Sequence, residues 1–119
     1  MKREIINSTL LFVYGTLMSG YENRYARLLR ESSTFVGTAW SRGELKRVSW
    51  YPGMIRRVTT MQKVYGELYI INDLRILKEL DNYEEASKFN IKKYEFRRMK
   101  ISVRIADCWV SSWAYIYTY

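Results

Sequence analysis

Histidine is absent from these 119 residues, cysteine occurs once, at Cys108, and proline once, at Pro52. Without histidine there is no Ser-His-Asp or Cys-His nucleophilic site, no imidazole metal ligand and no side chain whose ordinary pKa makes it a neutral-pH proton shuttle. A lone cysteine excludes an internal disulfide and any zinc site built on cysteine pairs, and Cys108 reads as a buried or half-buried small residue. No apolar run approaches the ~20 residues needed to span a bilayer. Met1-Lys2-Arg3 leads into mixed polarity rather than a signal-peptide apolar region. The expectation is a cytoplasmic protein with no membrane association. Any acid or base it uses must be Glu, Asp, Lys, Tyr or the terminal amine.

What is present is a chain of 14.3 kDa with 48% hydrophobic residues, which reads as a single domain over residues 1–119 with a core of its own. Twenty Lys and Arg against twelve Asp and Glu leave a net charge of +8, enough to draw in anions at long range. The basic residues are scattered, so the expectation is a solvated basic surface and not a nucleic-acid groove. Eleven tyrosines and four tryptophans would suit base stacking, but most fall within strands, where packing is the commoner role.

Leu10–Tyr14 is short, apolar and rich in strand formers, and reads as a strand buried on both faces. It stops at Gly15-Thr16-Leu17. A glycine there can take positive φ, and the amides of Gly15, Thr16 and Leu17 would then point off the strand end, a corner able to hold an anion or an oxyanion. Spacing alone is better served by an ordinary strand-to-loop turn whose glycine only relieves crowding. The Gly-Lys-Ser/Thr ending of a phosphate-binding loop is missing, which argues against a P-loop triphosphatase.

Tyr21, Tyr25, Leu28 and Leu29 stand at helical spacing. Residues 34–40 and 43–50 read as neighbouring strands, Tyr51-Pro52-Gly53 as a turn, and residues 54–58 as the returning strand. Lys63–Ile71 is a strand in which Gly66 marks a bend or bulge. Asn72 or Asp73 caps a helix running through Leu74, Leu77 and Leu80. Two aromatic strands, about 95–105 and 109–117, close the chain. Several short strands and two helices predict an α+β fold with a small, strongly curved or closed sheet.

If the second helix extends to Glu84, that residue follows Leu80 by four positions and Leu77 by seven, on the leucine stripe. Glu85 turns further away. Burial would lift a carboxyl from its ordinary ~4.3 toward neutrality and fit it for proton transfer. A solvated acidic helix end explains the same spacing.

Tyr14-Gly15-Thr16-Leu17, Tyr51-Pro52-Gly53, Val64-Tyr65-Gly66-Glu67-Leu68-Tyr69, Leu80-Asp81-Asn82-Tyr83-Glu84 and Ala114-Tyr115-Ile116-Tyr117 follow one another in an order that resembles the gamma-glutamylcyclotransferase-like family, over roughly residues 10–117. The resemblance implies a small mixed β-barrel of about six strands with flanking helices. It implies cyclisation of a gamma-glutamyl amine or peptide to 5-oxoproline with release of the amine, without a cofactor, by a monomer or homodimer. It also implies that Tyr14, Gly15, Thr16 and Leu17 hold the glutamyl group and that Glu84 is the catalytic acid/base. Where many relatives have Gly after that glutamate, this chain has Glu85, and the basic segment 86–93 would bear on the leaving group. Tyr51, Tyr94 and Tyr115 are further candidates for pocket walls. A reading from another class is a non-catalytic small-anion or nucleic-acid binding module on the same fold.

Overall fold

The computed structural model describes residues 8–15, 24–47, 52–57, 60–86 and 96–117. Six strands and two helices follow in the order β1 (Leu10–Val13), α1 (Arg24–Ser32), β2 (Ser33–Arg47), β3 (Pro52–Arg56), β4 (Lys63–Ile71), α2 (Arg75–Ala86), β5 (Phe96–Ile105) and β6 (Cys108–Tyr117). The strands form one sheet in the order β1-β4-β2-β3-β6-β5, and further pairings of β1 with β6 and of β2 with β5 close it. β1, β4, β2, β5 and β6 make the closed circuit, and β3 is the extra strand between β2 and β6. This is the mixed barrel expected from the sequence. Among the described residues no helix is long and apolar enough to cross a membrane.

β1 lies antiparallel to β4 and parallel to β6, which explains why all four of its residues are apolar. Alternate side chains serve two cores. Leu10 and Phe12 join Ala39, Leu68, Val103 and Ile116 in one cluster, while Leu11 and Val13 join Tyr69 and Tyr115 under Leu29 of α1 and Ile76, Leu77 and Leu80 of α2. Burying four such side chains contributes roughly 6–12 kcal/mol gross, an upper bound because the unfolded chain is not fully extended.

β2 corrects the sequence reading. The segment 34–40 and residues 43–47 of the next are not neighbouring strands; Ser33–Arg47 is one strand whose first part pairs with β4 and whose last part pairs with β3, and residues 48–50 lie outside the described residues. Ser41-Arg42 between them offers neither glycine nor proline to close a hairpin, so the chain runs on and bends at an irregularity between Phe35 and Gly37. Pro52 and Gly53 belong to β3 rather than to a turn, Pro52 occupying the first strand position, where its missing N–H costs least. Gly66 is not a bulge, since Ala39↔Gly66 sits in unbroken register. Its role is close approach: a Cβ there would stand 2.1 Å from the Val13 carbonyl oxygen and 3.0 Å from the Phe12 ring.

Asp73 caps α2, its Oδ1 accepting the Arg75 amide at 3.0 Å. Leu74 precedes the first helical residue and is exposed, so the inward stripe starts at Ile76 and continues through Leu77 and Leu80. The β5–β6 hairpin turns on Ala106-Asp107, with Ala106 at φ 51°. Cys108 is half-buried, as expected.

Candidate active site

The corner after β1 has the conformation its glycine allows. Gly15 sits at φ 73°, a left-handed setting that costs other residues ~1–2 kcal/mol. Thr16 and Leu17 lie outside the described residues. The corner's position is fixed from behind by Gly66, because only a residue without a Cβ lets the end of β1 seat against β4.

Tyr14 contributes its ring to the barrel core and its hydroxyl to the barrel's closure. The hydroxyl accepts the Met54 amide of β3 at 2.8 Å and donates to the Tyr115 carbonyl of β6 at 2.5 Å. It therefore clamps the place where β3 and β6 meet through a single registered pair, Met54↔Ile116.

Tyr115 extends the connection to α2. Buried at the helix–barrel interface, it donates its hydroxyl to Asp81 Oδ1 at 2.6 Å, with the Leu77 carbonyl at 3.4 Å. Arg98 of β5 grips the same carboxylate with two bonds, Nε to Oδ1 at 2.9 Å and Nη2 to Oδ2 at 3.1 Å. That bidentate pairing holds the Arg98 guanidinium above its ordinary pKa, the hydrogen bonds outweighing the cost of partial burial. A continuous path thus runs from Tyr14, through Tyr115, to Asp81 and Arg98.

Position 84 lies in the last turn of α2, three residues after Asp81 and four after Leu80. The turn that precedes it is the one anchored to Tyr115. The side chains of residues 82–86, Glu84 and Glu85 among them, lie outside the described set, as do Tyr51, Tyr94 and the basic segment beyond residue 86. Of the proposed pocket walls, Tyr115 is described, and its place is under α2.

Sequence reasoning gave no role to Glu67. This carboxylate is 7% exposed, stands opposite Val13 in the β1–β4 register, and accepts the Tyr69 hydroxyl at 3.0 Å. Burial, then the bond to Glu67, pushes the Tyr69 phenol up to about 12. The available signal was the alternation in KVYGELYII, which puts one acidic residue on the same strand face as Tyr69 and Ile71. Glu67 is thus a buried carboxylate beside the end of β1. Among the described residues no group of three or more Asp, Glu or Cys could hold a metal ion.

A family model described as Gamma-glutamyl cyclotransferase, AIG2-like, matches residues 11–119. No functionally curated protein matches the chain. Among solved structures, YkqA of Bacillus subtilis superposes with TM-score 0.72 at 22% identity, covering 94% of this chain and 36% of YkqA. An uncharacterised Pyrococcus horikoshii protein gives 0.67 at 17% identity, covering 94% of this chain and 80% of that one. An AIG2-like protein of Mus musculus gives 0.65 at 22% identity, covering 94% and 77%. These likenesses are likenesses of fold. The chain spans about a third of YkqA.

Proposed function

The chain belongs to the gamma-glutamyl cyclotransferase, AIG2-like family, and from that premise we propose that it cyclises the gamma-glutamyl group of a gamma-glutamyl amine or peptide to 5-oxoproline, with Glu84 as the acid/base. The observation that carries the reading is the path from Tyr14 through Tyr115 to Asp81, which ties the corner at Gly15 to the helical turn ahead of position 84.

In the proposed reaction the substrate's own α-nitrogen attacks its γ-carbonyl carbon. A C–N bond forms to close the five-membered ring, and the C–N bond to the amine breaks. An ammonium with an ordinary pKa of ~8 cannot attack until it loses a proton. Of its three protons one stays on the ring nitrogen and two finish on the departing amine. Glu84 carries them in turn, so one carboxylate serves both halves of the reaction. Nucleophile and electrophile share a molecule, and holding the chain folded supplies the proximity. The amides of Gly15, Thr16 and Leu17 receive the α-carboxylate or the oxyanion of the tetrahedral intermediate. Tyr14 contributes through its place in the corner, since its hydroxyl is engaged with Met54 and Tyr115.

The test is incubation of the purified chain with a panel of gamma-glutamyl amines and peptides, following 5-oxoproline and released amine together. Equimolar appearance of both from at least one substrate supports the reading. Their absence across the panel counts against it.

A further inference from the structure

The barrel surface away from the helices carries a cluster that cyclisation does not use. Residues opposite one another in a ladder share a sheet face. Tyr65↔Trp40, Trp40↔Arg104, Arg104↔Trp109 and Arg42↔Lys63 therefore place three aromatic rings and three cations on one outer surface, drawn from β4, β2, β5 and β6. The Trp40 and Trp109 rings meet edge to face with centroids 5.2 Å apart. Lys63 Nζ lies 4.3 Å from the Trp40 centroid, Arg104 Cζ lies 5.5 Å from that of Trp109, and Arg42 Cζ stands beside both indoles at 5.7 and 6.0 Å from their centroids. Tyr65 is 65% and Trp109 45% exposed.

Among the described residues no ion pair involves Arg42, Lys63 or Arg104, and the neighbouring Glu44 is already paired with Arg57. Beside the rings opens a cleft of about 280 Å³ lined by Arg42, Arg56, Ser102 and Trp109. That is below the ~300–1,000 Å³ of a drug-sized site and suits a single phosphate or base.

We propose that this face binds single-stranded nucleic acid, its phosphates on Arg42, Lys63 and Arg104 and its bases on Tyr65 and Trp109. The alternation of rings with cations favours this occupant over an acidic protein, because a polycarboxylate uses the charges and leaves the aromatic faces unexploited. The cations are already held over the indoles, so little side-chain freedom is lost on binding. The basic residues read as scattered in the sequence because Trp40, Lys63, Arg104 and Trp109 are dispersed in the chain and meet only through the barrel's closure.

The test is fluorescence anisotropy of fluorescein-labelled oligo(dT) and oligo(U), about 12 nucleotides long, titrated with the full chain over a salt series. Single-strand binding should weaken with salt at about 0.7 log units per log unit for each phosphate contacted, a total slope near 2 for three contacts. Arg42→Gln, Lys63→Gln and Arg104→Gln combined should flatten most of that slope. Tyr65→Ala should weaken binding about fivefold to a hundredfold with the circular dichroism and Tm unchanged, since the ring is exposed. Binding unaltered in both variants, absence of binding at low salt, or displacement by polyglutamate as effective as by poly(U) would each overturn the proposal. The last would assign the face to an acidic polymer.

Discussion

Tyr14 and Tyr115 are joined by a 2.5 Å hydrogen bond across 101 residues of sequence, from the hydroxyl of the first to the carbonyl of the second. The same Tyr14 oxygen receives the Met54 amide. Tyr14→Phe keeps the ring and removes both bonds, leaving an amide and a carbonyl to find other partners. At about 0.5–1.5 kcal/mol each, the loss is roughly 1–3 kcal/mol, read as a lower urea midpoint with unchanged m-value.

Asp81 holds Tyr115 and Arg98 together one helical turn before position 84. Tyr115→Phe removes one of the two holds on that turn, leaving Arg98, without emptying the core. If the turn sets the position of the proton carrier, kcat falls on the order of 10- to 100-fold while KM changes little. An equal loss in both parameters, or a fall in Tm alone, would reduce Tyr115 to a packing residue.

Gly66→Ala pushes a methyl group into the Val13 carbonyl, which a Cβ would approach to 2.1 Å. Backbone cannot yield there as a side chain would, so the cost is ~3 kcal/mol or more, at or beyond the usual overpacking range, and β1 unseats. Gly15→Ala is milder, about 1–2 kcal/mol from its positive φ. Chemical denaturation of the two variants should rank them in that order.

Tyr69 supplies a pH dependence. Its phenol is raised from 10.0 to about 12 by burial and by Glu67, so in that interval the folded chain keeps a proton that the unfolded chain has lost. Stability from this group is complete below the unfolded value and is lost as pH rises through the folded one. The urea midpoint should fall between pH 10 and pH 12. Glu67→Gln removes the charge and lowers the Tyr69 value, measurable by NMR on ring-labelled tyrosine.

Local pattern carried much of this into the sequence. β1 was legible because four consecutive apolar residues can only be buried on both faces, a cap at Asn72 or Asp73 because both residue types favour that place ahead of an apolar helical run, and Gly15 because a strand end followed by Gly-Thr must turn. What stayed hidden was set by long-range register. Ser33–Arg47 changes partners midway, which no period reveals, and Gly66 is required by a strand fifty residues earlier. Tyr115 and Asp81 are 34 residues apart and gain their meaning only when β6 packs beneath α2. Glu67 was visible as a lone acid in an apolar strand, but its burial beside Val13 depends on the β1–β4 pairing.

The central claim is proton transfer by Glu84, and Glu84→Gln tests it most directly, since the amide keeps the shape and cannot take the proton. With a gamma-glutamyl substrate that the wild-type chain turns over, single-turnover formation of 5-oxoproline should drop by about 10²- to 10⁴-fold with Tm and substrate affinity preserved. Undiminished ring closure in that variant would contradict the account.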